Sequence, residues 1–415
     1  FFKQKTAYEM LRSLVGSEMC IRDRSSSPLS NSYLTKKTIN EPEKWYPLKV
    51  LVCNKCWLVQ TDDFVGVSEM FSEDYAYFSS FSSTWLKHAE NFVENVISRF
   101  NINSESLVLE IAANDGYLLQ YVKDKGIPCY GIEPTHSTAE AARNKGIEII
   151  EEFFSVKKAN ELVREGRQAD LIISNNVLAH VPDINDFVKG ISILLKPNGI
   201  ATFEFTNLLK LVELNLFDTI YHEHYSYLSL TSVEKIFEAN GLVVFDLEEL
   251  MTQGGSLRIY AQRIDSSHHK KSKAVSLLEK KENKMGVSSI DFYQDFQNNI
   301  EGLKTEFLLF LLQANQQGKK VVGYGAAAKG NTMMNLLGIR QNLISYVVDN
   351  NPAKKDKYMP GSRIPIVDIN QINVTKPDYV VIFPWNLKDE VMQQLEFIKE
   401  WDGKFIISTP KLKIF

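Results

Sequence analysis

The stretch Val108-Leu109-Glu110-Ile111-Ala112-Ala113-Asn114-Asp115-Gly116-Tyr117-Leu118-Leu119 decides how this chain is read. A short apolar run gives way to a small polar turn, then to an apolar stretch able to begin a helix. That is the order strand, tight loop, helix. Glu110 falls near the strand's C-terminal end, where open α/β sheets bind ligands. Asn114 and Gly116 suit a backbone that turns sharply and approaches a ligand closely. Ala112 and Ala113 stand where a glycine-rich dinucleotide loop would carry glycines. Tyr130-Gly131-Ile132-Glu133-Pro134 reads as the next strand, with Glu133 at its tip. In a doubly wound sheet an acid there takes the ribose hydroxyls of an adenosine cofactor. The competing reading is an ordinary α/β loop with Glu133 as a solvated strand end.

A third element follows at Ala169-Asp170-Leu171-Ile172-Ile173-Ser174-Asn175-Asn176-Val177-Leu178-Ala179-His180-Val181, a buried strand running into a polar turn. Leu194-Leu195-Lys196-Pro197-Asn198-Gly199 is the turn before the strand 200–205. The alternation of strands and helices predicts a doubly wound sheet. Together these elements resemble the cofactor site of class I S-adenosylmethionine-dependent methyltransferases. The resemblance implies that Glu110, Ala112, Asn114, Gly116, Tyr117, Leu118, Glu133, Asn176 and His180 surround that cofactor. For His180, capping of local backbone is an equal alternative.

The chain has 415 residues, enough for two or three domains, with an ordinary apolar fraction of 44%. A net charge of −4 and the absence of a long basic run give no sign of a nucleic-acid or anionic-membrane partner. No apolar run approaches the length of a membrane span. Four cysteines in a chain of this length do not make a disulfide framework, so a reducing cytoplasm is expected.

Residues 1–24 lack the apolar core and cleavage site of a signal peptide. They resemble a translated sequencing-adapter read-through and are expected to be a non-native leader, Cys20 included. Interpretable sequence begins at Ser25. Two strand-like runs in Pro47–Gln60 flank Cys53-Asn54-Lys55-Cys56, the form of a zinc knuckle in which two thiolates come from one tight turn. A structural zinc needs four ligands, so the expectation is a truncated zinc-binding domain over 25–84 whose first cysteine pair is missing. An unmetallated turn or a redox pair are the alternatives. Cys129 reads as buried packing. Phe71–Trp85 is dense in aromatics and hydroxyls; it suits either a sugar or adenine pocket or inter-domain packing.

Tyr221-His222-Glu223-His224-Tyr225-Ser226-Tyr227 packs two imidazoles, a carboxylate and three phenols into one short run, which is costly to bury without purpose. A general base with phenolic partners ranks first, a surface loop second, and a His-x-His metal site third, because the helical spacing of a zinc hydrolase is absent. Gln253-Gly254-Gly255-Ser256 is a turn into a strand, and residues 266–284 read as a charged connector. Lys320–Asn331 holds Gly323-x-Gly325-x-x-Ala328, which fits a loose dinucleotide fingerprint and equally a phosphate at a helix N-terminus. Asp349 ends the next strand. Gly323, Gly325, Lys329, Asn331, Asp349 and Asn386 are therefore the candidate nucleotide ligands, with a nicotinamide dinucleotide as rival occupant.

From Ser25 onward the chain resembles the sugar C-methyltransferases that act on nucleotide-linked 4-keto-deoxyhexoses. The residues that carry this are Pro28–Tyr33, Cys53 with Cys56, Asp74–Ser80, Glu110–Leu119, Tyr221–Tyr227, Gly254–Arg258, Gly323–Asn331, Pro360-Gly361 and Ile364-Pro365. The resemblance implies a zinc-binding domain, then an S-adenosylmethionine domain over 85–250, then a C-terminal Rossmann-like domain over 251–415 that holds the nucleotide sugar. It also implies a monomer. It assigns the base to His224, partner roles to Tyr221 and Glu223, and a pocket phenol to Tyr75 or Tyr77. Two departures stand out: the first cysteine pair is absent, and Gln253 stands where a histidine is expected. Methyl transfer to oxygen or nitrogen of another small molecule, nicotinamide-dependent oxidoreduction and non-catalytic binding are the remaining alternatives.

Overall fold

Three sheets hold the apolar runs of the sequence. The computed structural model describes residues 18–62, 65, 66, 70, 78–266 and 268–415. Among these residues no helix is long and apolar enough to cross a membrane.

The N-terminal sheet begins with β1 (Glu18–Ser27), β2 (Tyr46–Cys53) and β3 (Val59–Thr61), all antiparallel. β1 starts within the segment set aside as a leader, and Glu18, Met19, Cys20, Arg22 and Asp23 are in register with β2. Alternate residues of β2, Leu48, Val50 and Val52, point into the core.

The middle sheet is built from β4 (Val108–Ile111), β5 (Cys129–Ile132), β6 (Glu148–Ile150), β7 (Ala169–Asn175) and β8 (Leu195–Thr206). β9 (Ser226–Tyr227) leaves this unit and pairs with β3, so the histidine-rich run is stitched into the N-terminal sheet. β10 (Leu242–Leu250) and β11 (Ser256–Arg263) return as an antiparallel hairpin, giving the order β10-β11-β8-β7-β4-β5-β6. The sequence-based boundary at 250/251 thus cuts between two paired strands. The strand after the Gly-Gly turn completes the first doubly wound sheet, not the second. Leu171 and Ile173 face one side of the sheet and Ile172 the other, the period of 2 expected of a strand covered on both faces. The helix Ser83–Phe100 covers one face through Phe92, Val93 and Val96.

The C-terminal sheet contains β12 (Val321–Tyr324), β13 (Val347–Val348), β14 (Ile366–Val367), β15 (Tyr379–Ile382), β16 (Lys404–Ile407) and β17 (Lys413–Ile414) in the order β14-β13-β12-β15-β16-β17. All pairs are parallel except β16–β17. Its crevice lies where the chain leaves β12 and β15 in opposite directions. Leu48, Val50 and Val52 share one apolar cluster with Phe217, Ile220 and the C-terminal sheet, so the outer units meet across the segment 208–220.

Gly325 closes the β12 turn at φ +90, and a Cβ there would lie 2.5 Å from Pro384 Cδ. Gly325→Ala adds backbone strain to that clash. A loss of about 1–3 kcal/mol in urea unfolding followed by tryptophan fluorescence is the expected result.

Candidate active site

The loop after β4 turns through three left-handed residues, Ala112 (φ 56), Asn114 (φ 49) and Gly116 (φ 73). Ala112 therefore takes a conformation that a glycine would hold more cheaply, and the loop is tied down by side chains instead. Glu133 accepts the Asn114 N–H at 2.9 Å through one oxygen and the Thr135 N–H at 3.0 Å through the other. It is buried, not a solvated strand end, and burial pushes its carboxyl up. Asn114 Oδ1 accepts the Ser79 N–H at 2.9 Å, closing the segment before the helix Ser83–Phe100 over the loop.

Glu110, 1% exposed, has its carboxyl pushed well above the usual range by burial and by nearby Asp115. Glu110 Oε2 and Asp115 Oδ1 are buried and have no hydrogen-bond partner among the described residues. Such orphaned acceptors fit a ligand carrying hydroxyl or amino donors. Trp85 stacks between His88, at 4.9 Å, and Tyr117, at 6.1 Å. Leu118 is wholly buried in the core beneath the loop, so its side chain packs rather than facing a ligand. Asn176 ends β7 at φ 55 and gives its N–H to the Glu204 carbonyl at 2.7 Å.

The histidine-rich run separates into roles. His222 faces the N-terminal sheet: its Nε2 lies 3.1 Å from the Pro47 carbonyl, and Tyr46 packs on its ring. Glu223, 3% exposed, accepts from Asn31 Nδ2 at 2.7 Å. His224 turns the other way. Its Nδ1 lies 2.6 Å from the Thr219 carbonyl, which can only accept, so Nδ1 carries the proton and Nε2 is left with a lone pair. The adjacent side chains point apart, as expected for neighbours in sequence. Tyr221 lies 4.1 Å from the His224 ring and Tyr227 6.1 Å.

His180 stands edge-on to His224 at 4.6 Å, so it faces the imidazole rather than merely capping backbone. Burial pushes His180 down to about 4, with the Glu223 carbonyl pulling the other way. His224 is held well below the usual histidine range by burial, by His180 and by the charge of Lys329. The enclosed ring is a weaker base than a free imidazole, because burial disfavours its charged form.

Lys329 is the C-terminal unit's contribution. It lies in the first turn of the helix Ala328–Leu337, with Nζ 5.1 Å from the Trp385 ring centroid and 3.4 Å from both Gln253 Oε1 and Asn386 Oδ1. The Trp385 indole donates to Asp218 Oδ2 at 2.7 Å. Gly254 packs so tightly on Trp385 that a Cβ would come within 2.3 Å of Cη2. Gln253 thus occupies the expected histidine's place as a neutral neighbour of Lys329.

Other expected nucleotide ligands are engaged elsewhere. Gly323 sits inside β12, where a Cβ would strike Phe383 at 2.5 Å, so close packing accounts for it. Asn331 is fully buried and donates to the Ser30 carbonyl at 2.6 Å. Asp349 accepts the N–H groups of Ala326 at 2.7 Å and Asn351 at 2.8 Å. The Tyr33 hydroxyl and Lys354 Nζ both donate to the Ala326 carbonyl, at 2.6 and 2.9 Å. The segment Leu29–Tyr33 therefore straps the C-terminal turn to Glu223. Thr219, Asp218 and Lys354, which the structure brings to this site, were not singled out by the sequence, whereas Asn31 lies in the Pro28–Tyr33 motif. The only signal was a lone acid, Asp218, in an apolar run.

Cys53 and Cys56 form the expected knuckle: the N–H groups of Lys55 and Cys56 both point at Cys53 Sγ at 3.3 Å. Burial pushes the Cys56 thiol up to about 11. Among the described residues no group of three or more potential ligands comes together, so a full zinc coordination sphere does not fit them. Tyr75 and Tyr77 lie outside the described residues.

Residues 23–71 match a family described as a putative zinc binding domain, 85–247 a methyltransferase domain, and 251–410 a C-methyltransferase C-terminal domain. The C-methyltransferase NovU of Streptomyces niveus is 30% identical over 389 residues, which are 94% of this chain and 92% of that protein. A ubiquinone biosynthesis O-methyltransferase of Rickettsia canadensis is 23% identical over 29% of this chain and 51% of its own. Among solved structures, magnesium protoporphyrin IX methyltransferase from Synechocystis aligns over 43% of this chain and 79% of its own, with 16% identity and a TM-score of 0.33. The full-length similarity to NovU, together with the matches in all three units, means that this chain belongs to the C-methyltransferase family and carries its methyltransferase domain.

Proposed function

We propose that the chain transfers a methyl group from S-adenosylmethionine to C-3 of a nucleotide-linked 4-keto-deoxyhexose, acting as a cytoplasmic monomer. The observation that carries this reading is His224: an enclosed imidazole whose Nδ1 is committed to a carbonyl and whose Nε2 has a lone pair to offer. A C–H bond is a poor nucleophile, so a neighbouring ketone must acidify it. The 4-keto group does so for C-3, and His224 Nε2 removes the proton. Tyr221 stands beside that imidazole with a phenol for the sugar, and Glu223 contacts substrate from the strap side. The C-terminal Rossmann-like unit holds the nucleotide part of the substrate.

Glu110, Glu133, Tyr117 and Asn176 would hold the cofactor, whose sulfonium supplies an activated methyl group. The orphaned acceptors on Glu110 and Asp115 support its place there. The protein's own part is to orient the carbon, take its proton and exclude water. Purified protein is to be tested against a panel of dTDP-4-keto-deoxyhexoses by mass spectrometry, with the methylated atom located by NMR. Gain of one methyl group on C-3 is expected. Transfer to oxygen alone, or to no sugar of the panel, would overturn the reading.

A further inference from the structure

We infer that the Lys329 ammonium receives the charge that develops on the substrate's ketone oxygen as His224 removes the neighbouring proton; this rests on the methyl-transfer reading above. Lys329 is half-buried, and burial holds its ammonium below the usual lysine range. Among the described residues it makes no ion pair, and its polar contacts are two neutral amide oxygens, both at the outer limit of a hydrogen bond. The Trp385 indole face lies beneath it, and the Asp218 carboxylate acts on it through charge. Three donors so weakly used in an enclosed site are suited to an anion.

The frame around Lys329 also contains the base. Asp218 is fully buried and binds the Trp385 indole on which the ammonium rests. The carbonyl of the next residue, Thr219, accepts the hydrogen bond from His224 Nδ1. The two groups are thus fixed from consecutive residues of one short turn, Phe217–Thr219. The charge of Lys329 reaches His224 and opposes its protonation, which agrees with that placement.

A phosphate ligand would keep its ammonium at the backbone N–H groups of the Gly325 turn. Here the side chain instead runs to Gln253, on the turn between the middle unit's last two strands. At the Gly325 turn itself, the Ala326 N–H and carbonyl are already taken by Asp349, Tyr33 and Lys354.

The step balances. The C–H bond breaks, the proton goes to His224 Nε2, and the electron pair moves onto the ketone oxygen facing Lys329. The carbon then takes the methyl group, the methyl–sulfur bond breaking with its pair left on sulfur. The ketone re-forms, and the imidazolium returns its proton to water.

Lys329→Met keeps the stem's volume and removes the charge. Three readouts are taken on the dTDP-4-keto-deoxyhexose that wild type methylates: kcat, KM, and deuterium wash-in at C-3 with S-adenosylhomocysteine in place of the methyl donor. The expected result is a kcat lower by on the order of 10²–10³-fold, with KM within a few-fold and wash-in slowed in proportion. Lys329→Gln, which keeps a donor without charge, is expected to fall between, and it serves if the Met variant does not fold. A raised KM with unchanged kcat would make Lys329 a phosphate ligand and overturn the inference, as would wash-in at the wild-type rate. Absence of wash-in from wild type would instead reject the enolate reading, and the inference with it.

Discussion

His224→Gln is expected to remove nearly all turnover while leaving S-adenosylmethionine binding intact. Glutamine's amide can still donate to the Thr219 carbonyl that now takes Nδ1, so the local fold is kept. It cannot accept a proton near neutral pH. Loss of a positioned general base costs on the order of 10²–10⁴-fold in kcat. Among the described residues no hydrogen bond joins the cofactor loop to this imidazole, so calorimetric affinity for the cofactor should stay within about two-fold. Activity retained in this variant would reject His224 as the base, whatever the product.

The same residue fixes the acid side of the pH profile. His224 is held well below the usual histidine value of about 6.5, so the neutral ring persists below the pH at which a free imidazole takes its proton. The acid limb of kcat/KM should therefore lie below that value. The sign for stability runs the same way. In the unfolded chain the imidazole takes its proton near pH 6.5, before the folded one can. Its contribution to stability is complete above that pH and is lost as pH falls towards the folded value. His180, at about 4, adds to the effect.

The first doubly wound sheet was legible because its strands are apolar runs with turn residues at their ends, as at Val108–Leu119. The second was legible from Gly323 to Asn331 for the same reason. What the sequence did not reveal was contact between distant segments. Nothing local in Leu29–Tyr33 says that Asn31 reaches Glu223 or that Ser30 meets Asn331, because those pairs are set by how the three units dock. Asp349 shows the cost. An acid at a strand tip suggests a ribose, yet here it caps the Ala326 N–H under Lys354. His224 was found because a cluster of imidazoles and phenols is improbable as packing. Its tautomer was not, because that depends on the Thr219 carbonyl five residues away.

Glu204→Gln should destabilise the middle unit by about 3–5 kcal/mol, the usual cost of removing one partner of a buried ion pair. Register explains why. Arg258 on β11 is the cross-strand partner of Glu204 on β8 and of Glu248 on β10, so the three side chains form one row on one face of the sheet. Glu204 is 0% exposed and Arg258 5%, and the Arg258 guanidinium lies 2.6 Å from Glu204 Oε2 and over the Phe92 ring. Glu204 also takes His88 Nε2 at 2.9 Å and the Thr252 hydroxyl at 3.0 Å. Burial pushes its carboxyl up, but His88 and Arg258 together hold it below the usual range. The stabilisation is accordingly present above the ordinary glutamate pKa and fades as pH drops through the folded value. With Glu204 neutral, Arg258 keeps Glu248, at 3.4 Å, as its carboxylate partner beside the His88 ring, at 3.0 Å, and the charge stays buried. Replacing both members, Glu204→Leu with Arg258→Met, removes the stranded charge and should recover most of the loss. Urea unfolding of the two variants separates these outcomes. If the single variant unfolds like wild type, the pair is not what fixes β11 against β8. Because Thr252 hangs from Glu204 and Gln253 follows it, the single variant should also loosen the turn beside Lys329, lowering kcat before the fold is lost.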